Sequence, residues 1–255
     1  MTDTHAHLYD GQFDDDREDV IGRAIAQGVH RMLLPNINGQ TVQPMFDLCR
    51  KYPRNCFPMI GLHPTDVGPG FRQQLDSLVK YLDRDDVIGI GEIGVDLYWD
   101  TQYKDQQLEA FRIQVGWAKQ RNLPISVHCR KSFDEIMSVL RSEQDGSLTG
   151  VFHCFPGNIR QAEEVIRLGF AIGIGGVVTY KNAKMADVVK NIDIHHILTE
   201  TDAPYLPPDP FRGKRNESAY IQYIVRKIAG LKGLSDKEVS DITDSNTRRV
   251  FHKLP

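Results

Sequence analysis

The sequence predicts an α/β fold, namely a (β/α)8 barrel of the TIM type that forms one domain over residues 1–255. Short β-branched or apolar runs alternate with longer amphipathic stretches along the whole chain. A repeating βα order implies parallel strands joined by crossover helices. Eight such units fit into 255 residues. This number favours a barrel over a doubly wound open sheet, although the same local pattern allows either.

Eight short runs have the composition of buried strands, and a helical stretch is expected after each. The predicted strands cover residues 2–7, 29–34, 56–61, 87–91, 124–128, 150–155, 170–175 and 196–200. Apolar residues recur at helical spacing in residues 17–26, 106–120, 132–140, 161–168 and 186–189, and two closing helices are expected at about 217–228 and 235–251. Ser132 and Asn158 stand where helix N-caps belong.

Composition and charge are those of an ordinary globular protein. A net charge of −3 provides no overall basic field, so any phosphate binding must be local. The four cysteines form no C-x-x-C pair and suggest a reducing compartment. The N-terminus lacks the pattern of a signal peptide, and no apolar run has the length of a membrane span. We therefore expect a cytoplasmic monomer that binds no membrane and has no obligate protein partner.

Gly89, Gly91 and Gly94 spell G-x-G-x-x-G, the fingerprint of a dinucleotide-binding turn. Such a turn must lead at once into a helix whose N-terminus faces the pyrophosphate. Here no helical pattern resumes until about Asp105, and the next strand ends in His128 rather than in an acidic residue. We therefore interpret these glycines as small residues inside a strand.

Imidazole and carboxylate side chains stand at or just after the ends of the predicted strands. In a barrel these ends meet on one face, where barrel active sites form. His5 and His7 are two residues apart, so in a strand both project to the same side. The set contains more ligands than one tetrahedral ion uses and predicts two or more divalent ions bridged by Glu92. Its members are His5, His7, His63, Glu92, His128, His153 and Asp202.

Seven motifs, in order along almost the whole chain, carry a resemblance to a known family. They are residues 3–8 (DTHAHL), 61–64 (GLHP), 91–96 (GEIGVD), 128–130 (HCR), 153–155 (HCF), 200–206 (ETDAPYL) and 212–217 (RGKRNE). As a set they resemble the TatD-type metal-dependent deoxyribonucleases, a branch of the amidohydrolase-like barrel hydrolases. Two positions depart from the family pattern: Tyr9, where an acidic residue is frequent, and Ser218, where a proline is frequent.

The resemblance implies a TIM-type barrel that holds two or more divalent ions (Mg²⁺, Mn²⁺ or Zn²⁺) and hydrolyses DNA phosphodiester bonds. The expected substrate is DNA with single-stranded or frayed ends, degraded as by a 3′–5′ exonuclease. The implied metal ligands are His5, His7, Glu92, His128, His153 and Asp202. Glu92 is expected to bridge the metals, and Asp202 is expected to orient or deprotonate the attacking water.

Further residues are candidates for contacting the substrate. His63 either contacts the scissile phosphate, protonates the leaving oxygen, or is a loop histidine held by its neighbours. Arg130 either binds phosphate through two nitrogens or pairs with a carboxylate at the rim. Arg215 and Asn216 belong to the densest basic run, which should overhang the mouth as a positive lip. The aromatic pair at positions 98 and 99 either stacks on a terminal base or packs within its loop.

Two other functions are compatible with the same pattern. One is a related barrel hydrolase that acts on an amide, a lactone or a phosphoester, and the other is a binding barrel without catalysis. Hydrolases of the first kind often place a carboxylated lysine where this chain has Glu92, so Glu92 favours the nuclease. Cys129 and Cys154 each follow a histidine, and strand alternation predicts that both thiols point away from the site, towards the helices.

Overall fold

The computed structural model describes residues 1–99, 101–181 and 183–255. Within these ranges, eight β-strands alternate with α-helices. The strands are β1 (Thr2–Asp3), β2 (Arg31–Pro35), β3 (Cys56–Ile60), β4 (Gly89–Asp96), β5 (Ile125–Arg130), β6 (Gly150–Phe152), β7 (Phe170–Ile174) and β8 (Ile197–Thr199). The α-helices are α1 (Arg17–Ala26), α2 (Val42–Lys51), α3 (Phe71–Val79), α4 (Lys104–Arg121), α5 (Phe133–Glu143), α6 (Ile159–Arg167), α7 (Met185–Asn191), α8 (Ile221–Lys232) and α9 (Asp236–Val250).

The strands run parallel in the order β1 to β8, and each pairs with the next along the chain. Backbone hydrogen bonds bring the two edges of this sheet together. The Thr4 N–H donates to the Thr199 carbonyl at 3.0 Å, and the Asp202 N–H donates to the His5 carbonyl at 2.9 Å. The prediction of a single TIM-type barrel is therefore confirmed.

Several strands differ in length from the prediction. β1, β6 and β8 are shorter than expected, so His5, His7 and His153 lie just beyond their strands. β4 starts later and continues to Asp96, with an irregularity in its pairing to β5 between Ile90 and Ile93. Strand length depends on pairing with neighbours, which apolar patterns along one chain do not reveal.

The glycines of β4 allow a close approach to β5. A Cβ atom at Gly91 would lie 2.8 Å from Cβ of Ser126, and one at Gly94 would lie 2.0 Å from the carbonyl oxygen of His128. Gly94 also has a φ of 150°, which favours glycine. The three glycines lie inside the strand, as expected, and α4 begins only at Lys104.

The predicted helix N-caps differ in their hydrogen bonds. Asn158 caps α6 and forms a capping box with Gln161. Ser132 occupies the N-cap position of α5, but its hydroxyl donates instead to the carbonyl of Val95 at 2.5 Å. In the described part of the chain no helix combines the length and apolar character that crossing a bilayer requires.

Apolar side chains fill the amino-terminal end of the barrel interior. Leu33, Met59 and Leu198 are fully buried and pack in one cluster with Phe251, separate from the larger core beneath the helices. Phe251 follows α9 and lies close to Gly89 at the start of β4. The last helix therefore returns beneath the barrel and closes this end, leaving the carboxyl ends of the strands for the site.

Candidate metal centre

Glu92 lies at the centre of the predicted ligand set, and its Oε2 atom faces the end of β1. Oε2 lies 3.1 Å from Nε2 of His5 and 3.4 Å from Nε2 of His7. Oδ1 of Asp202, which follows β8, lies 3.9 Å and 3.8 Å from the same two nitrogens. The segments after β1 and β8 thus bring two imidazoles and a second carboxylate to one side of Glu92.

The Oε1 atom of Glu92 faces three other histidines. It lies 2.7 Å from Nδ1 of His128, 3.2 Å from Nε2 of His153 and 3.4 Å from Nε2 of His63. Five imidazoles therefore surround one buried carboxylate, divided between its two oxygens. This division provides two neighbouring sets of donors that share Glu92, as a bridging carboxylate requires.

His5 and His7, which follow β1, each have a second contact that fixes the ring. The Tyr9 hydroxyl donates to the carbonyl of Pro35 at 2.5 Å and lies 2.9 Å from Nδ1 of His7. Since that hydroxyl has only one proton, it accepts from Nδ1 and leaves Nε2 of His7 free as an acceptor. Nδ1 of His5 lies 3.1 Å from the Ser126 hydroxyl. The sequence did not predict these contacts of Tyr9 and Ser126, because neither residue has a side chain typical of a metal ligand.

Acidic residues hold the other histidines. Asp96 accepts from Nε2 of His128 at 2.9 Å, in the buttressing position that such a carboxylate takes beside a metal ligand. Glu200 lies 3.4 Å from Nδ1 of His153 and also accepts from the backbone N–H of Cys154. The sequence showed Glu200 only as part of the motif after β8.

Burial and the neighbouring charges shift the protonation of the cluster in opposite directions. Burial alone would raise the pKa of Glu92, but the surrounding imidazoles hold it well below its ordinary value. Burial raises the pKa of Asp202 to about 6 and lowers that of His5 to about 3. Glu92 is therefore ionised and His5 neutral, the forms in which these groups bind metal. The carboxylates beside His128 and His153 act against burial and raise the pKa of both rings, so these two must lose a proton to bind metal.

The donor set fits divalent metal ions. Two groups of three ligand atoms share Glu92, one with His5 and His7 and the other with His63 and His128. Nitrogen and oxygen donors in this mixture suit zinc, manganese or similar ions. Oε2 of Glu200 is buried without a hydrogen-bond partner, and Nδ1 of His153 has only its 3.4 Å ion-pair contact with Oε1 of the same residue. Unpaired polar atoms at such a depth are costly, and a cation among the imidazoles would reduce that cost.

The orientation predicted for Cys154 is wrong. Its Sγ lies 3.9 Å from Oδ2 of Asp202, and the thiol forms a possible metal-binding group with His153 and Glu200. β6 ends at Phe152 and Cys154 has a φ of 40°, so the alternation of strand side chains no longer applies. Cys129 lies within β5 and is buried, with its pKa raised by burial to about 12.

The basic residues after β8 form hydrogen bonds and an ion pair with nearby segments. Arg215 binds Asp16 at 2.6 Å and the carbonyl of Gln12 at 2.6 Å. Asn216 is fully buried and donates to the carbonyls of Thr201 and Tyr205. Both side chains stabilise the loop in this way, and their contact with substrate stays a prediction.

Arg130 ends β5 and lies against the aromatic pair of the next loop. Its guanidinium carbon is 3.8 Å from the ring centre of Tyr98 and 5.1 Å from that of Trp99. Among the described residues, no hydrogen bond or ion pair to a carboxylate involves this guanidinium. The rim-carboxylate alternative is therefore not observed there, and stacking takes its place.

A buried hydrogen-bond network, which the sequence did not predict, joins β1 to the segment after β8. Asp3 accepts from the hydroxyls of Thr201 and Ser218, each at 2.6 Å, and from the Thr201 N–H at 2.9 Å. Ser218 is the residue that departs from the family pattern of proline. Its contact with Asp3 stabilises the seam beside His5 and Asp202.

Comparison with known proteins agrees with this geometry. A sequence profile described as TatD related DNase matches residues 2–252. The chain is 39% identical over 252 residues to the "Uncharacterized metal-dependent hydrolase YabD" of Bacillus subtilis (strain 168), covering 98% of each chain. It is 33% identical over 257 residues to the "3'-5' ssDNA/RNA exonuclease TatD" of Pectobacterium carotovorum subsp. carotovorum (strain PC1), covering 98% of this chain and 99% of that one.

The fold has a solved counterpart as well. The crystal structure of YJJV, a TatD homologue from Escherichia coli K12, superposes with a TM-score of 0.93 at 29% sequence identity, covering 99% of this chain and 98% of that one. The chain therefore belongs to the TatD family of metal-dependent hydrolases.

Proposed function

We propose that this protein is a metal-dependent nuclease that hydrolyses DNA phosphodiester bonds from the 3′ end of single-stranded or frayed DNA. The observation that supports it most is the division of four imidazoles between the two oxygens of Glu92, with His5 and His7 at one oxygen and His128 and His153 at the other. Paired cations held in this way suit an in-line attack on a phosphodiester, where both the attacking and the leaving oxygen carry charge.

In this proposal His5, His7, Glu92, His128, His153 and Asp202 hold the metals. Divalent ions bound there would polarise a phosphate oxygen and lower the pKa of a water molecule towards about 7. Asp202 positions that water and accepts its proton. Burial raises the pKa of this carboxyl to about 6, which is close to the range in which a general base is most efficient at neutral pH.

His63 is proposed to contact the scissile phosphate or to protonate the leaving oxygen. Its side chain is 13% exposed, whereas those of His5 and His7 are 0% and 3% exposed. A substrate that enters from solvent would therefore reach His63 before the β1 pair. Its Nδ1 lies 2.7 Å from the hydroxyl of Thr65, which fixes the ring with Nε2 towards the cluster.

The named relatives support a nucleic-acid substrate. The Pectobacterium protein is described as acting on single-stranded DNA and RNA, so RNA should be tested beside DNA. The Bacillus protein is described only as a metal-dependent hydrolase. We further propose that the protein is a cytoplasmic monomer, and its four free cysteines are consistent with a reducing compartment.

The test uses single-stranded DNA labelled at its 5′ end, incubated with the protein and Mg²⁺, Mn²⁺ or Zn²⁺. We expect a ladder that shortens from the 3′ end and disappears with EDTA. Replacing Glu92 with Gln should lower kcat/KM about 1000-fold, since the cations that would stabilise charge on the reacting phosphate lose their shared carboxylate ligand. Glu163→Gln, on the exposed face of α6, is the matched control and should retain full activity.

Two results would contradict this proposal. One is DNA degradation that persists unchanged in Glu92→Gln, which would identify a contaminating nuclease. The other is a metal-loaded protein that cleaves neither DNA nor RNA. Products cut at internal positions would retain the nuclease activity but replace cleavage from the 3′ end with internal cleavage. Light scattering on the same samples measures the oligomeric state.

A further inference from the structure

The loops at the mouth of the barrel expose aromatic and apolar side chains that the proposed reaction does not yet use. In the described part of the chain the exposed large hydrophobic residues are Ile25, Tyr98, Trp99, Tyr205 and Leu206. All except Ile25 lie in the loops that follow β4 and β8. Ile25 lies near the C-terminus of α1, and barrel helices run antiparallel to their strands, so it belongs to the opposite end. Exposed apolar surface is therefore concentrated around the site.

The pair after β4 is the more exposed of the two. Trp99 is 72% exposed and Tyr98 is 51% exposed, and their rings meet edge to face with centres 4.9 Å apart. Arg130 lies over Tyr98 at 3.8 Å. An indole that is mostly open to solvent, next to a tyrosine stacked on a guanidinium, presents a flat surface for another planar ring.

This aromatic surface is attached directly to the metal centre. Oδ1 of Asp96 accepts from the backbone N–H of Tyr98 at 2.9 Å, while Oδ2 of the same residue accepts from His128. The Leu97 N–H donates to the Arg130 carbonyl at 2.9 Å, so the loop is also paired with the end of β5. One carboxylate thus fixes the start of this loop relative to a histidine that faces Glu92.

We propose that Tyr98, Trp99 and Arg130 form a nucleobase subsite, in which an unpaired base of the substrate stacks on Trp99 while its phosphate lies at the metal centre. This inference rests on the proposed function for the identity of the substrate. The planar groups nearest to a scissile phosphodiester are its own bases, and stacking on aromatic side chains tolerates any base. A base within a duplex has no free face, so the subsite selects single-stranded ends.

The test combines a protein variant with a substrate variant. Trp99→Ala should raise KM about tenfold on a normal single-stranded oligonucleotide, without a comparable change in kcat. Three further oligonucleotides each have one abasic residue, at the last, second-last or third-last position. On one of the three, the KM of the wild type should rise to that of Trp99→Ala on the normal oligonucleotide. On that oligonucleotide Trp99→Ala should raise KM by less than a further twofold, because the base that would stack on Trp99 is already absent.

Two controls separate stacking from a general loss of apolar surface. Trp99→Phe keeps an aromatic ring and should recover most of the affinity. Ile25→Ala removes an exposed apolar side chain at the other end of the barrel and should leave KM unchanged. A KM for Trp99→Ala equal to that of the wild type on every oligonucleotide would overturn the subsite, as would an increase that persists undiminished on all abasic oligonucleotides.

Binding provides a measurement that does not depend on turnover. The chain has two tryptophans, of which Trp117 is buried and Trp99 is exposed. A single-stranded phosphorothioate oligonucleotide should quench Trp99 fluorescence in the metal-loaded protein, and a fully abasic one should not. Quenching without DNA cleavage would retain the subsite and overturn the nuclease. Cleavage of DNA without quenching, and without an effect of Trp99→Ala on KM, would retain the nuclease and overturn the subsite.

Discussion

The two ends of the barrel interior have opposite chemistry. At the carboxyl ends of the strands, buried imidazoles and acids surround Glu92. At the amino ends, Leu33, Met59 and Leu198 pack against Phe251 without a polar group among the described members of that cluster. The first end contains groups whose burial is costly, and the second gains free energy from every side chain that it buries.

This difference indicates that stability and chemistry are separated along the barrel axis. A (β/α)8 barrel commonly places its site at the carboxyl face and relies on the other face for stability. If this separation holds here, substitutions at the metal end should change activity more than folding. Substitutions at the apolar end should do the reverse. The following predictions test that separation.

The largest effect is expected for the carboxylate proposed as the base. Asp202→Asn should lower kcat about 1000-fold, since proton transfer from the attacking water loses its acceptor. In EDTA, where no metal contributes to stability, its melting temperature should not fall, because the substitution removes a buried carboxylate whose ionisation burial opposes. The measurement is kcat on single-stranded DNA with a thermal melt, and Asp187→Asn, exposed on α7, is the control. A variant that melts much earlier than the wild type would contradict the separation.

The apolar end should show the converse. Phe251→Ala should lower the free energy of unfolding by about 3–5 kcal/mol, because it removes a fully buried ring and leaves a cavity. At low temperature, where the variant is still folded, kcat should stay within about twofold of the wild type. Denaturant titration gives the first value and the DNA assay gives the second. Phe251→Leu should lose less stability than Phe251→Ala. A large loss of kcat in folded Phe251→Ala would contradict the independence of the two ends.

The smallest of the three effects is expected from metal removal. Metal that binds only the folded state at 100 times its Kd should stabilise the protein by about 3 kcal/mol. Thermal melts with Mn²⁺ or Zn²⁺ and after EDTA measure this difference. Phe251→Ala should show the same metal-dependent increment as the wild type, whereas Glu92→Gln should show much less. Equal melting temperatures with and without metal in the wild type would argue against a metal site in the folded protein.

The residues that were predicted together share one feature. Glu92 and His128 lie inside strands, and His5 and Asp202 lie just after the ends of strands, so the βα order alone places the four on one face. The structure brings all of them to one cluster, and their roles as ligands stay a prediction. Cys154, Arg215 and Asn216 belong to loops, and their orientations depended on contacts with distant segments such as those of Asp202 and Asp16.

The sequence also did not predict the hydrogen bonds around the candidate metal ligands. Tyr9 reaches the carbonyl of Pro35, and Asp3 reaches Thr201 and Ser218 across the seam of the barrel. These contacts join residues from 26 to 215 positions apart in the chain. No local pattern records such a pairing, because it arises only when separate strands are packed side by side.

The sequence by itself determined the fold class, since strand and helix periodicity are local properties of the backbone and their alternation leaves few topologies. It also determined that imidazoles and acids gather at one end of the barrel. Only the tertiary structure decided which nitrogen of each ring faces Glu92, which residues hold those rings, and that Trp99 is open to solvent. Such features depend on side-chain packing between segments that are far apart in the chain, and this packing is established only when the barrel closes.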